Sequence, residues 1–127
     1  AAASGVRVRH LRLTVLATRS GQTASMQLGE LRLRSGDEEV DLAGFQAANP
    51  GGQNPQYEGP EKAISSKGKW LDLSFRASGQ SVLLLSAPAD LEVSALSLRT
   101  ASDGAPRDPI AIRVEGRLDG EVVGPEL

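Results

Sequence analysis

The sequence predicts an all-β fold, an antiparallel β-sandwich or jelly roll of about eight strands. Three observations lead to this prediction: short segments alternate apolar and polar residues, turn residues separate these segments, and no apolar stripe keeps a helical period for three turns. A chain of 127 residues can bury one core without disulfides, so we expect a single domain over residues 1–127.

The first two strand segments each contain a change of phase. In Val6–Thr18 the alternation shifts near Arg9-His10, and in residues 26–33 it shifts at Gly29-Glu30. Such shifts are typical of β-bulges, which glycine tolerates well. The shift near Arg9-His10 is equally consistent with the true start of the strand. Because only a polar, glycine-containing loop separates the two segments, we expect them to pair with each other.

The later strands follow from the same alternation and from turn residues. A continuous apolar run at 81–85 lies between Gly79 and Pro88, which favours a central strand buried on both faces. In 70–75, alternate residues point to opposite faces. The other predicted strands are 40–42, 91–100, 110–115 and 121–123.

A loop of about 20 residues, 49–68, precedes the only tryptophan, Trp70, and contains the only tyrosine, Tyr57. We expect it to be ordered, because Tyr57, Ile64 and Trp70 offer apolar anchors and its prolines reduce the entropy lost on folding. Two interpretations stay open. Either the loop only covers one end of the sandwich, or Tyr57, Glu58 and Lys62 line a ligand pocket there.

Several spaced strings resemble the discoidin-type family, also called F5/8 type C or galactose-binding-like domains. The strings are Asn49-Pro50-Gly51-Gly52, Gly59-Pro60-Glu61-Lys62-Ala63-Ile64, Lys69-Trp70-Leu71-Asp72, Ala101-Ser102-Asp103, Arg107-Asp108-Pro109-Ile110, Val114-Glu115-Gly116 and Leu118-Asp119-Gly120. Two further strands similar to the family, at 9–13 and 29–33, stand at the start rather than the end, so the strand order looks circularly permuted. The resemblance implies a jelly roll that binds sugars, lipid head groups or proteins through loops at one end.

Many members of that family hold a structural Ca²⁺ beside a D-G-x-x-x-T turn. Here the corresponding turn is Ser65-Ser66-Lys67-Gly68, which lacks the aspartate and the threonine and adds a lysine. Calcium needs six to eight oxygen ligands, usually with carboxylates among them. We therefore expect neither this calcium site nor another cofactor or metal.

Two further groups of charged residues are candidates for recognition. Asp103 and Arg107 flank a turn, where they either stabilise the turn itself or bind a ligand together with the loop residues. Five arginines could share the outer face of the first strand pair, either to protect a sheet edge or to dock an acidic partner: Arg7, Arg9, Arg12, Arg32 and Arg34. The run Asp37-Glu38-Glu39 is typical of a solvated turn.

Composition excludes several classes of function. The chain has no cysteine and a single histidine, His10, so it cannot assemble a His/Cys zinc site. No apolar run approaches the roughly 18 residues of a membrane span. The formal net charge is −2, far from the basic character of a nucleic-acid-binding protein. No Gly-x-Ser-x-Gly elbow is present, so we expect no enzyme.

Two functions remain open. The first is a non-catalytic recognition module for carbohydrate or another surface ligand, bound through the end loops. The second is a protein-interaction or accessory subunit of a larger assembly, docking through the arginines or the long loop. The chain starts without methionine, which leaves open a trimmed chain or a secreted or organelle-lumenal protein whose targeting peptide has been removed.

Overall fold

The structure, a computed structural model, describes residues 5–21, 23–65, 68–101 and 103–119. Its strands are β1 (Val6–Thr18), β2 (Met26–Leu28), β3 (Glu30–Ser35), β4 (Glu38–Glu39), β5 (Gln46–Ala48), β6 (Trp70–Asp72), β7 (Ser81–Val93), β8 (Ala95–Arg99) and β9 (Pro109–Arg117). A short helix, α1 (Phe75–Ser78), and two 3₁₀ turns, at Pro60–Ile64 and Ala105–Arg107, lie in the connections.

The strands form three antiparallel sheets. A four-stranded sheet has the order β5-β7-β1-β9, a second sheet pairs β2 with β6, and a third has the order β4-β3-β8. Side chains from all three sheets meet in one apolar core: Val8, Leu11, Leu13, Val15, Met26, Leu28, Leu31, Leu33, Ala63, Trp70, Phe75, Leu83, Leu85 and Val93. The predicted antiparallel β-sandwich is thus confirmed.

The expected pairing between the first two segments is wrong. β1 pairs with β7 on one side and with β9 on the other, whereas β2 pairs with β6 and β3 pairs with β4 and β8. The first two segments therefore belong to different sheets and meet through their apolar side chains. Both carry the same alternation, which specifies a half-buried strand but not its neighbour.

Arg9 lies at the predicted bulge of β1. Val8 pairs with Leu91 and His10 pairs with Ser86, so Arg9 alone lies opposite residues 87–90 of β7. Its Nε donates a hydrogen bond to Ala87 O at 2.9 Å. This irregular stretch also contains Pro88, which has no N–H to contribute to a ladder. β7 consequently continues beyond the point at which the proline predicted its end.

Gly29 separates β2 from β3 and lies against another backbone segment. Its N–H donates to Arg99 O at 3.0 Å. A Cβ at this position would lie 2.6 Å from Thr100 O and 2.9 Å from Arg99 O, which are backbone atoms that cannot move independently. The change of phase predicted at Gly29-Glu30 is confirmed, since Leu28 and Leu31 are both buried.

We expect Gly29→Ala to lower the free energy of unfolding by about 1–3 kcal/mol, because the new methyl group overlaps fixed backbone oxygens. Thermal unfolding followed by circular dichroism should show a melting temperature several degrees lower. Gly59→Ala is the matched control, since the three atoms nearest to a Cβ there all belong to the flexible side chain of Glu61. Equal melting temperatures for the two variants would contradict the close approach at Gly29.

Two of the predicted strands, at 70–75 and at 40–42, differ from the structure. The strand at 70–75 ends at Asp72, after which Leu73 is exposed and α1 begins at Phe75. No strand covers 40–42; instead, β4 comes just before it and β5 follows at Gln46–Ala48. The predicted strand at 121–123 lies outside the described residues. Within the described ranges, no helix has the length and apolar character that a membrane crossing needs.

Candidate functional site

The long loop is folded against β6 in the residues that the structure describes. Leu71 N donates to Glu58 O at 3.0 Å, and Leu73 N donates to Gln53 O at 2.7 Å. Asn54 Nδ2 donates to Leu71 O at 2.7 Å. The 3₁₀ turn Pro60–Ile64 then buries Ala63 in the core. The expectation of an ordered, packed loop is confirmed, although Tyr57 is 77% exposed and does not anchor it.

Asp72 connects the loop to the core strands. Its Oδ1 accepts hydrogen bonds from Gln53 N (3.1 Å), Ser74 N (2.9 Å) and Ser74 Oγ (2.9 Å), and its Oδ2 accepts one from Ser81 Oγ (2.6 Å). Burial raises the pKa of Asp72, but these hydrogen bonds, above all the one from Ser81, outweigh it and hold the pKa below its usual value. Asp72 is therefore an ionised, satisfied carboxylate with a structural role.

Lys69 is the centre of a polar cluster beside this loop. Its Nζ donates to Asp103 Oδ1 at 2.8 Å, to Asp103 Oδ2 at 3.0 Å and to Gln27 Oε1 at 2.9 Å. Glu58 Oε2 lies 3.9 Å from the same nitrogen, which is an ion-pair distance but too long for a hydrogen bond. That oxygen is buried and has no hydrogen-bond partner among the described residues. We call Gln27, Glu58, Lys69 and Asp103 the Lys69 cluster.

The turn after β8 completes the cluster. Gly104 has a left-handed backbone, with φ of 60°, and the Arg107 guanidinium occupies the space that a side chain at Gly104 would fill. Gln27 Nε2 donates to the carbonyls of Asp103 and Gly104. The pKa of Asp103 lies below its usual value, first because Lys69 donates to its carboxylate and further because the Arg107 charge is near.

A cleft of about 630 Å³ opens beside the Lys69 cluster. Its lining residues are Gly29, Gly68, Lys69, Arg99, Thr100, Ala101 and Asp103. The volume is within the range of small-molecule sites. The cleft presents an ammonium, a guanidinium and a carboxylate, so it suits a polar ligand that both donates and accepts hydrogen bonds.

The predicted ligand residues lie at this same end of the sandwich. Glu58 and Asp103 contact Lys69, and Arg107 lies next to Asp103. Lys62 places its aliphatic chain against Gly68, which lines the cleft. Tyr57 immediately precedes Glu58 and exposes its ring.

Sequence reasoning missed Lys69 and Gln27. Gln27 occupies the middle of β2, where alternation predicts a solvent-facing side chain, yet it is fully buried. It is buried because its amide satisfies the turn at Asp103-Gly104 and the ammonium of Lys69. The only available signal was the position of Lys69 directly before Trp70.

The five arginines do not share one face, which corrects the expectation from the sequence. Arg7, Arg9 and Arg12 lie on β1, while Arg32 and Arg34 lie on β3, in a different sheet. The arginines are separated because β1 pairs with β7 and β9, whereas β3 pairs with β4 and β8.

Most of these arginines already have partners within the chain. Arg7 and Arg9 lie 3.8 Å from Asp90 carboxylate oxygens, and Arg34 Nη2 donates to Asp37 O at 2.7 Å. Arg32 bonds the buried carboxylate of Glu30, which raises the pKa of Arg32. These contacts give four of the five arginines a partner within the chain.

The His10 side chain, on the four-stranded sheet, contacts Ser86 on one side and Asp119 on the other. Its Nδ1 is 3.0 Å from Ser86 Oγ, and its Nε2 is 2.5 Å from Asp119 Oδ1. The pKa of Asp119 is lowered, first by the hydrogen bond with His10. Ser86, His10 and Asp119 follow the order of a Ser-His-Asp triad. Here, however, the serine contacts Nδ1 and the aspartate contacts Nε2, which is the reverse of the triad. Because the Asp119 side chain is 64% exposed, we interpret these contacts as structural links that join β1 to β7 and to the chain after β9.

Metal ligands do not cluster in the described part of the chain. No group of three or more histidine, cysteine, aspartate or glutamate side chains there could hold a metal ion. The run Asp37-Glu38-Glu39 is exposed. The loss of the family calcium site stays a prediction.

No family model, curated protein or solved structure matches this chain.

Proposed function

We propose that this chain is a non-catalytic recognition module, a discoidin-like domain with circularly permuted strand order, and that it binds carbohydrate in the cleft beside the Lys69 cluster. The motifs at 49–52, 59–64 and 69–72 support the family assignment. The loop that carries the first two motifs also supplies Glu58 to the Lys69 cluster.

The observation that carries the proposal is the conformation of Tyr57. Its φ is 69°, and among the described residues it is the one non-glycine residue with positive φ. This backbone conformation costs about 1–3 kcal/mol for a residue other than glycine. The ring is 77% exposed, so packing does not compensate for that strain. Tyr57 directly precedes Glu58 of the Lys69 cluster, and an exposed aromatic ring is a surface on which a sugar can stack.

The cluster supplies the hydrogen bonds that sugar hydroxyls need. Among the residues that line the cleft, Arg99 is a donor and the Asp103 carboxylate is an acceptor. A hydroxyl both donates and accepts, so it can pair with both kinds of group at once.

A glycan array of mono- and oligosaccharides tests this function, followed by calorimetric titration with the best-binding glycan. We expect Tyr57→Ala to weaken binding at least about tenfold, a loss of about 1.4 kcal/mol. Tyr57→Phe should retain most of the affinity because the ring remains. Leu73→Ala, which truncates another exposed apolar side chain, is the matched control and should bind as the wild type does.

Two results would reject carbohydrate binding at this site: no glycan retained by the wild-type protein, or unchanged affinity in Tyr57→Ala. The melting temperature separates a binding effect from misfolding. Since the tyrosine ring is exposed, Tyr57→Ala should unfold at nearly the wild-type temperature.

Docking of a protein partner on the arginines is the alternative function. It has less support, because the five arginines are divided between two sheets and most already pair with Asp90, Glu30, Glu39 or a backbone carbonyl. Charge reversal of Arg32 and Arg34 combined with a pull-down tests this alternative, and it predicts loss of the captured partner.

A further inference from the structure

The cleft beside the Lys69 cluster has a surplus of positive charge in its lining. Among the described residues that line it, two are cations, Lys69 and Arg99, and one is a carboxylate, Asp103. Lys69 and Asp103 compensate each other, because the Lys69 ammonium donates to both oxygens of that carboxylate, at 2.8 Å and 3.0 Å. Glu58, which also lies near Lys69, is not among the lining residues. The charge that the lining does not compensate is therefore that of Arg99.

Arg99 presents its guanidinium from a fixed backbone at the end of β8. It lies opposite Glu30 in the ladder between β3 and β8, and its carbonyl accepts a hydrogen bond from Gly29 N at 3.0 Å. Its side chain is 65% exposed and makes one hydrogen bond among the described residues, from Nη2 to Glu30 Oε2 at 3.3 Å. A guanidinium carries several further N–H donors, so Arg99 can bind a ligand without losing this contact.

Glu30 does not depend on Arg99 alone for a counter-charge. Its side chain is 4% exposed, and its Oε1 accepts a hydrogen bond from Arg32 Nε. Glu30 and Arg32 line a different cavity, of about 560 Å³, and are not among the residues that line the cleft. Arg99 is thus the member of this group that faces the cleft, while Arg32 holds the buried carboxylate from the other side.

A carboxylate on the ligand matches this arrangement. The planar fork of a guanidinium binds a carboxylate through two parallel hydrogen bonds, a geometry that a single hydroxyl cannot provide. We propose that the cleft selects sugars that carry a carboxylate, the uronic acids, and that Arg99 binds this carboxylate. The inference rests on the proposed carbohydrate function and names the class of sugar that the same site takes.

Calorimetric titration with matched sugars tests the inference. The probes are trisaccharides of glucuronic, galacturonic and mannuronic acid, each compared with its own methyl ester, which keeps the sugar ring and removes the charge. We expect the best-binding acid to have a dissociation constant about tenfold lower than that of its ester. This ratio should fall as the salt concentration rises from about 50 mM to about 500 mM, because salt screens the attraction between the two charges.

Variants of Arg99 locate the effect. Arg99→Gln should bind the acid and the ester about equally, whereas Arg99→Lys should keep part of the preference, since it retains the charge but not the fork. Arg12→Gln, at an exposed residue of β1 outside the cleft, is the matched control and should keep the full preference. Circular dichroism checks that each variant is folded, and the comparison of acid with ester in the wild type needs no variant.

The possible results separate this inference from the proposed function. Equal affinity of the wild type for acid and ester overturns the inference but leaves carbohydrate binding in place. A preference for the acid that persists in Arg99→Gln overturns the role of Arg99. A sulfated sugar that binds more tightly than every uronic acid overturns the choice of a carboxylate. If the wild type binds no acid, ester or neutral glycan, the proposed function fails and the inference fails with it.

Discussion

Trp70→Ala is expected to lower the free energy of unfolding by about 3–5 kcal/mol. Trp70 is fully buried at the start of β6, inside the core cluster, so truncation leaves a cavity that the rigid strands cannot close. A domain of this size unfolds at a cost of about 5–15 kcal/mol, so the variant loses a large part of its stability. Urea titration followed by circular dichroism measures this loss, because Trp70 is also the only tryptophan fluorophore.

Trp70→Phe is the informative comparison. The indole Nε1 is buried without a hydrogen-bond partner among the described residues. Phenylalanine removes this unsatisfied donor, which offsets part of the lost packing. We therefore expect Trp70→Phe to cost clearly less than Trp70→Ala, at about 1–2 kcal/mol. Equal costs for the two variants would show that the indole N–H has a partner.

Asp72→Ala is expected to lower the free energy of unfolding by about 3 kcal/mol, because four hydrogen bonds to a buried carboxylate are lost and their donors stay behind. Asp72→Asn should cost less, since the amide keeps the shape and one acceptor oxygen. Loss of the bond from Gln53 N also removes one of the hydrogen bonds that hold the loop to β6. Limited proteolysis should therefore cut Asp72→Ala within 49–65 faster than it cuts the wild type.

The Asp72 contribution also depends on pH. The folded protein holds the pKa of Asp72 below its unfolded value of about 4, so its stabilising effect is fully present above that value. The effect is lost as the pH falls through the lower, folded pKa, since the folded state must then bind the proton. The stability difference between the wild type and Asp72→Asn should thus be largest near neutral pH and shrink below about pH 4. A difference that grows on acidification would contradict this sign.

The predictions from the sequence succeeded where short-range pattern decides the structure. The alternation in β1, the bulge at Arg9 and the change of phase at Gly29 are all in the structure. Alternation reports which side chains face the core, and a bulge leaves its mark within a few residues. The burial of Trp70 at the end of the long loop could also be predicted, because it follows from the pattern of the neighbouring residues.

The neighbours of each strand in the sheets could not be predicted from the sequence, and β1 shows the reason. It pairs with β7 and β9, which are both distant along the chain, although the next strand segment offers the same apolar pattern. The Lys69 cluster could not be predicted for the same reason. Its four residues, Gln27, Glu58, Lys69 and Asp103, come from separate parts of the chain. From the alternation alone, Gln27 is predicted to face solvent. It is buried because folding brings the turn at Gly104 within hydrogen-bond distance of its amide.

By itself, then, the amino-acid sequence determined that this protein folds as an antiparallel β-sandwich and, in β1 and at the change of phase around Gly29, which apolar side chains face its core. The tertiary structure alone decided which strands are neighbours, which arginines are neutralised within the chain, and which charges surround the cleft at Lys69. The physical reason is that burial patterns are local and repeat from strand to strand, whereas hydrogen-bonded and charged pairs join residues that only folding brings within a few ångströms.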